Sequence, residues 1–266
     1  MLDSIRLYIK SCRMLMRCQM QYRTSFLLNC FSQLMMLGTE LAAVLLLMNR
    51  FTYLGQWNTG EIIFFFGLIS MSFYLCEAFA RGITNFSRLI ARGELDSLLI
   101  RPRGVLFQVL CSQADPRRFG AILVGLTALI LGAVLAHICW TPLKVLLLLW
   151  SIIGGVALIM GLFLIEATLC FFSVKSIEMV NVLTYGGRST CQYPIDIYPR
   201  PMQLLFTIVA PFALTTHLPA AYILDKPLWN TGALQAFLSP LSGFAFLGLM
   251  IFVFYRGLRH YRSTGS

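Results

Sequence analysis

The chain has 266 residues, of which 58% are hydrophobic and only 12% charged, and its formal net charge is +10. A soluble domain carries roughly 25% charged residues, so this composition excludes a soluble globular protein and indicates an integral membrane protein. Apolar runs of about 20 residues recur and strand-type alternation is absent. The predicted fold class is therefore all-α, with helices that span a bilayer.

Lysine and arginine are concentrated before the first apolar run, in a central island between 81 and 118, and at the end of the chain. An even number of spans puts all three segments on one side of the membrane. The positive-inside rule identifies that side as the cytoplasm, so both termini are predicted to be cytoplasmic. Topology and attraction to anionic membrane lipid explain the excess charge, which needs no nucleic acid partner.

The first 23 residues mix leucine, isoleucine and methionine with basic side chains. Residues 1–23 are therefore predicted as an amphipathic helix at the cytoplasmic interface, and they lack the apolar centre of a cleavable signal peptide. An outer loop with Trp57 as an interfacial aromatic is predicted over residues 49–60. Hydropathy predicts membrane spans at residues 25–48, 62–80, 121–138, 145–163, 166–186 and 237–254.

The apolar run from Val145 to Val174 allows two interpretations. At a rise of about 1.5 Å per residue it is too long for one ordinary span. In the first interpretation, a tight cytoplasmic turn near Gly161 to Glu166 divides it. In the second, one long helix ends at Lys175 and a cytoplasmic loop follows as far as Gln203. Both give an even number of spans.

The charged island NFSRLIARGELDSLLIRPRG, residues 85–104, lies between the second and third predicted spans. Apolar side chains recur at helical spacing before and after Gly93, and Pro102 stops the pattern. Acidic residues begin the second piece and Arg101 ends it, as the helix dipole favours. The pattern predicts two amphipathic half-helices hinged at glycine, and a simple surface helix lying on the bilayer explains it equally well.

Residues 194–224 hold five of the ten prolines. Proline removes a hydrogen-bond donor and interrupts a helix, so Leu204 to Leu224 would make a poor single span. Two short helices that dip into the outer leaflet and return are predicted instead.

Ionisable side chains inside the predicted spans are candidates for function, because charge is costly in hydrocarbon. Glu40, Lys175 and Glu178 are candidates for a substrate path. Lys175 and Glu178 are three residues apart on a helix, and a structural ion pair explains them equally well. Glu77 and Glu166 are predicted to lie at the cytoplasmic boundary.

Motifs for catalysis or metal binding are absent from the sequence. There is no P-loop, HExxH or GxSxG, so the chain is predicted to be a non-enzymatic subunit with no catalytic residues. The three histidines are too dispersed for a metal cluster, and the eight cysteines include no CxxC. Cys139 and Cys191 both fall in predicted outer segments, so topology allows a disulfide between them.

Three motifs together resemble those of a known family. RGELDSLLIRPRG, the later YPIDIYPRPMQ and the tail RGLRHYRSTGS are similar to the permease subunits of bacterial type-2 ABC exporters. The similarity is greatest to a branch that works as two-permease systems with mostly unassigned substrates. It implies six transmembrane helices, an N-terminal interfacial helix, a cytoplasmic coupling helix over 85–104, and re-entrant outer-leaflet helices over 194–224 before the last span.

The resemblance also implies partners and residue roles. A dimer of permeases, formed with a related chain or a copy of itself, would lie in the bacterial inner membrane on two cytosolic ABC ATPases. ATP and Mg would bind those partners, and this chain would bind no cofactor. The residues that would couple to the ATPase are Arg92, Gly93, Glu94, Asp96, Arg101 and Arg103. The gate candidates are Tyr193, Pro194, Pro199 and Pro211.

The predicted function is therefore that of a permease subunit of an ATP-driven exporter, which forms the substrate pathway. The alternative is an ion-coupled secondary transporter that uses the intramembrane Glu and Lys side chains. Internal repeats would favour this alternative, and no convincing repeat relates the two halves of the sequence.

Overall fold

The computed structural model describes residues 2–51, 53–171, 180–226 and 232–261. The first half of the chain forms eight helices and one small hairpin of β1 (Tyr53–Leu54) and β2 (Trp57–Asn58). These helices are α1 (Leu2–Met20), α2 (Arg23–Arg50), α3 (Thr59–Phe79), α4 (Arg81–Thr84), α5 (Phe86–Ala91), α6 (Glu94–Leu99), α7 (Val105–Ser112) and α8 (Phe119–Leu135). A 3-10 turn, Pro116–Arg118, leads into α8.

The second half continues with long helices at both ends and short ones between them. The α-helices are α9 (Pro142–Leu169), α10 (Gly187–Thr190), α11 (Arg200–Leu204), α12 (Leu218–Ile223), α13 (Ala233–Leu238) and α14 (Leu241–Leu258). Wider π-helical turns precede α10, follow α11 and precede α12, at Val182–Gly186, Leu205–Val209 and Ala213–His217.

Five helical segments of the described residues are long and apolar enough to cross a membrane. They are Arg23–Arg50, Thr59–Phe79, Pro116–Leu135, Pro142–Leu169 and Ala233–Leu258. A bent pair, Arg200–Val209 and Ala213–Ile223, makes a sixth if it is counted as one span. The protein is thus an all-α membrane protein.

Helix α3 lies at the centre of the fold, since its membrane-length stretch is mostly buried. It packs closely on α8, where glycines allow the two backbones to approach. A Cβ on Gly67 would lie 2.5 Å from the backbone nitrogen of Leu129, and a Cβ on Gly132 would collide with Phe64. Small residues at such crossings are the usual means of packing helices in a membrane.

Helix α9 is continuous through Gly161–Glu166, so the turn predicted there is wrong. The glycines serve helix packing instead of a turn: a Cβ on Gly161 would lie 2.7 Å from the Phe246 ring of α14. The helix ends at Leu169, before the Lys175 of the second interpretation. Residues 180–190 are helical, so the continuous loop that the second interpretation predicted there is wrong.

The proline-rich stretch forms two short helices, and their axes differ by 86°. The bend lies at Ala210 and Pro211, where proline cannot continue the hydrogen-bond ladder. Re-entry of this pair into the outer leaflet stays a prediction.

Trp57, predicted as an interfacial aromatic, is instead fully buried, with its ring edge-on to Phe65 at a centroid distance of 5.1 Å.

Candidate functional site

Residues 85–104, which we call the coupling element after their predicted role, consist of α5 and α6 joined by a turn at Gly93. Gly93 has φ +67°, a left-handed conformation that glycine adopts without strain. The side chains on either side of this hinge are exposed, and Arg92 Nη1 lies 3.7 Å from Glu94 Oε1. The element is therefore two short helices with a sharp, charged turn between them.

The base of the coupling element is buried. Leu95 and Leu98 turn inward, and Phe86 is fully buried. The Phe86 ring packs against Phe171, just after α9, and Phe254 of α14, at centroid distances of 5.4 and 5.5 Å. A force on this element therefore acts directly on the ends of two long helices.

The tip of the element projects into solvent. Ile100 is 86% exposed, and Arg101 and Arg103 are exposed beside it. Gln108 Nε2 braces the turn by donating to the carbonyl oxygens of Leu98 at 2.9 Å and Arg103 at 2.7 Å. The tip therefore presents one large apolar side chain and two cations to solvent on a braced turn.

Asp96, on the second half-helix, faces the end of the chain. Burial and the neighbouring Asp96 carboxylate raise the pKa of the Tyr261 hydroxyl, which lies just after α14. The structure thus gathers the predicted coupling residues in one element, and it places Asp96 at the base of this element instead of its exposed tip.

Directly beside the coupling element lies a set of polar residues that we call the boundary cluster. It joins α2, the inner end of α3, α4 and the start of α8. Its members are Gln33, Glu77, Arg81, Asp115, Arg117 and Arg118.

Glu77 and Arg118 form the buried centre of this cluster. The Glu77 side chain is 1% exposed, and Arg118 reaches it through Nε and Nη2, each at 3.2 Å. Arg118 Nη1 also donates to Gln33 Oε1 of α2 at 2.6 Å. Arg81 of α4 lies 3.5 Å from the Glu77 carboxylate. Glu77 lies near the C-terminal end of α3. Its position at the cytoplasmic boundary of the membrane stays a prediction, and its arginine partners could not be identified from hydropathy.

Asp115 is the second carboxylate of the boundary cluster. Arg117 donates to it through Nε at 2.7 Å and Nη2 at 3.1 Å, and Arg81 Nε lies 3.7 Å away. Burial acts to raise the pKa of Asp115, but the bonds from Arg117 and the charges of Arg117, Arg81 and Arg118 lower it below its ordinary value. Asp115 is therefore held as a carboxylate.

Glu40 of α2 has a partner that the sequence analysis missed. Arg188 of α10 donates to Glu40 Oε2 at 2.5 Å, and Gln192 donates to the same oxygen at 3.3 Å. The guanidinium of Arg188 also lies over the Tyr74 ring, 4.9 Å from its centroid. A lone arginine in the otherwise weakly polar GGRST is the signal that could have indicated this pairing.

The other ionisable candidates do not take part in the contacts of Glu40 that the structure describes. Glu166 is buried, and its Oε1 accepts a 2.8 Å bond from Thr184. Lys175 and Glu178 lie outside the described residues. Within the described ranges, no group of three His, Cys, Asp or Glu side chains could hold a metal ion.

On the opposite side of the molecule, a second network ties the β-hairpin to the proline-rich stretch. The buried indole Nε1 of Trp57 donates to Asp196 Oδ1 at 2.9 Å. Lys226 Nζ lies 2.6 Å from Glu61 Oε2, at the start of α3. These pairs, which we call the outer clamp after the side predicted to face outward, hold both ends of the segment 196–226 near the N-terminal end of α3.

Two gate candidates lie within this segment and two lie just before it. Tyr193 and Pro194 lead into a 3-10 turn, Ile195–Ile197. Pro199 precedes α11, and Pro211 lies at the bend. Cys191 and Cys139 are both free thiols, so the disulfide that topology allowed is not formed.

These features define a class: a multi-pass α-helical membrane protein with a glycine-hinged, charged element between its second and third long helices. Residues 34–265 match the family described as ABC-2 family transporter protein, and the chain belongs to this family. It is a membrane permease of an ABC transporter, and permeases of this family generally work with ABC ATPases. The family does not favour the ion-coupled alternative. No curated protein and no solved structure shows a significant match to the chain.

Proposed function

We propose that the chain is the permease subunit of an ABC exporter in a bacterial inner membrane, with both termini in the cytoplasm. Separate cytosolic ATPase subunits bind ATP and Mg and act on this chain through the coupling element. The observation that carries this proposal is the exposed tip of that element, Ile100 to Arg103, standing on a base buried among the long helices.

The exposed side chains of the coupling element offer the chemistry of a docking site. Arg92, Arg101 and Arg103 are exposed cations, Glu94 is an exposed anion, and Ile100 is an exposed apolar side chain. Charged side chains orient a partner, while a large apolar side chain provides contact area at the centre of an interface. These groups lie at both ends of α6, beside the Gly93 hinge and at the tip.

The boundary cluster provides a route from the coupling element to the spans. Arg81 lies in α4, which ends at Thr84 immediately before the coupling element. It faces Glu77 of α3 and Asp115 at the entrance of α8. A displacement of the coupling element by the ATPases therefore moves α3 and α8 together, because both are joined to the same guanidinium.

The outer clamp lies at the other end of α3 and is the proposed gate. Glu61 in the first turn of α3 holds Lys226, and Trp57 holds Asp196. A tilt of α3 stretches both pairs and releases the segment 196–226, which carries Pro199 and Pro211 and directly follows Tyr193 and Pro194. The substrate then leaves on the outer side.

A second permease, related or identical, completes the pathway in this proposal. The membrane-length windows of α2 and α14 are mostly exposed in the single chain. Glu40 on α2 is one-third exposed despite its pairing with Arg188. A pathway between two subunits gives this carboxylate a polar surrounding that lipid lacks, and lipid covers the remaining apolar faces.

The test uses the substitutions Glu94→Ala and Arg101→Ala together. Removing one charge beside the Gly93 hinge and one from the tip should weaken ATPase binding at least tenfold, since contacts at an interface centre contribute about 1–2 kcal/mol each. The measurement is co-purification of the ATPase with tagged permease from native membranes in mild detergent, followed by an ATPase assay.

Arg259→Ala is the matched control, because it removes an exposed cation near the end of α14 and leaves the coupling element intact. It should retain the ATPase, and all variants should insert into the membrane equally. Normal ATPase recovery and transport with the double variant would show that residues 85–104 are a surface helix without a coupling role.

A further inference from the structure

A small polar cavity opens beside the boundary cluster, in addition to the features used above. Its volume is about 210 Å³. Its lining residues are Asn29, Gln33, Arg81, Asp115, Arg117 and Arg118. Three of them are guanidinium groups and two are amides, so the cavity is rich in hydrogen-bond donors.

The charge of this cavity is positive after internal pairing. Arg81, Arg117 and Arg118 face only two carboxylates, Asp115 in the wall and Glu77 behind it. Both carboxylates are buried, whereas the Arg117 side chain is 45% exposed. Its contacts with Asp115 use Nε and Nη2, two of the three nitrogens in a group with five N–H donors. Arg117 can therefore bind a further anion.

A second cavity of about 470 Å³ shares Asn29 and Arg117 with the first. Its lining also includes Tyr22 and Phe26. Phe119, the first residue of α8 after Arg118, is exposed. The donor-rich cavity therefore neighbours aromatic side chains at the ends of two membrane-length helices.

We propose that these neighbouring cavities bind an anionic phospholipid, with its phosphate group in the donor-rich one. The phosphate lies between Arg117, Arg81 and the amides of Asn29 and Gln33, and the acyl chains lie along the apolar surface of α2 and α8. Guanidinium groups suit phosphate because their planar donors bind two oxygens at once. The site is a lipid-binding site on the permease and does not depend on the identity of the exported substrate.

Because Arg81 and Arg117 also hold Asp115, lipid occupancy is linked to the boundary cluster. A bound phosphate draws both guanidinium groups toward itself. Its negative charge balances the positive charge that the two carboxylates leave unpaired. The annular lipid then becomes part of the junction between the coupling element and the spans.

The experiment titrates the full chain, purified in nonionic detergent, with phosphatidylglycerol, phosphatidylcholine and inorganic phosphate, and counts bound molecules by native mass spectrometry. Phosphatidylglycerol should bind most tightly, because the choline cation of phosphatidylcholine is repelled by the cavity. Arg117→Gln should weaken phosphatidylglycerol binding roughly tenfold, as expected for loss of a charge-assisted bond. Arg256→Gln, which removes an exposed cation near the end of α14, should not.

Asp115→Asn provides a test of opposite sign, since removal of a wall carboxylate should tighten phosphatidylglycerol binding several-fold. It keeps the result interpretable if Arg117→Gln fails to fold. An equal loss of phosphatidylglycerol binding in Arg117→Gln and Arg256→Gln would show that the lipid responds only to general surface charge, and it would overturn the proposal. Equal binding of phosphatidylcholine, or binding of inorganic phosphate as tight as that of the lipid, would overturn it as well.

Discussion

Replacing Arg118 with methionine should destabilise the protein through the buried centre of the boundary cluster. The change keeps most of the side-chain volume but removes two contacts to Glu77 and one to Gln33. Glu77 is 1% exposed, so it loses its main partner without gaining water. Breaking a buried ion pair from one side costs about 3–5 kcal/mol.

The lower end of that range applies here, because Glu77 keeps two other contacts. Arg81 lies 3.5 Å away, and the Tyr185 hydroxyl lies 3.4 Å away. We therefore expect about 3 kcal/mol for Arg118→Met, a change of roughly a hundredfold in the unfolding equilibrium. Glu77→Gln should cost less, about 1–2 kcal/mol, because Arg118 stays partly exposed and keeps its bond to Gln33.

The assay is a double-mutant cycle on protein unfolded by sodium dodecyl sulfate in mixed micelles, followed by far-ultraviolet circular dichroism. The double variant should be more stable than the sum of the two single changes implies, by about 1–3 kcal/mol, because it leaves no unpaired buried charge. Additive changes would refute the reasoning, since they would mean that Glu77 and Arg118 are not energetically coupled.

Two further changes test the packing of α3 and the outer clamp. Gly67→Ala should destabilise by about 1–3 kcal/mol in the same unfolding assay, because its Cβ would lie 2.5 Å from the Leu129 backbone. Gly248→Ala, with nothing within 4 Å, should be near neutral, and equal effects would contradict the close crossing. Asp196→Ala should cost about 1–3 kcal/mol by leaving the buried Trp57 N–H without its acceptor. Asp196→Asn keeps an acceptor and should cost less, and the reverse order would be inconsistent with this bond.

Hydropathy located most of the long helices, but it divided α9 at a turn that the helix does not have. The runs that begin near Ser25, Ile62 and Ala121 each coincide with most of a long helix, because a bilayer requires an apolar stretch of this length. The hinge at Gly93 was also readable, since the apolar periodicity breaks there and the structure has a left-handed residue. In both cases the signal is local in the sequence.

The partners of the buried charged side chains could not be predicted from local sequence patterns, because the two members of a pair are often distant in sequence. Glu40 and Arg188 are separated by 148 positions. A single sequence shows that each charge needs a partner and does not show which one. Gly161 illustrates the same limit, because a glycine in an apolar run permits either a turn or a close crossing. Only the position of Phe246 on the neighbouring helix decides between them.

The three polar groupings have one element in common, which is α3. Glu61 in its first turn holds the outer clamp, Tyr74 faces Arg188, and Glu77 near its inner end anchors the boundary cluster. The helix has 21 residues and is about 32 Å long at 1.5 Å per residue. It is mostly buried and packs closely on α8 through glycines. In the proposed mechanism, α3 and α8 therefore move together and carry a displacement from the coupling element to the proposed gate. The largely exposed α2 remains available to a second subunit or to lipid.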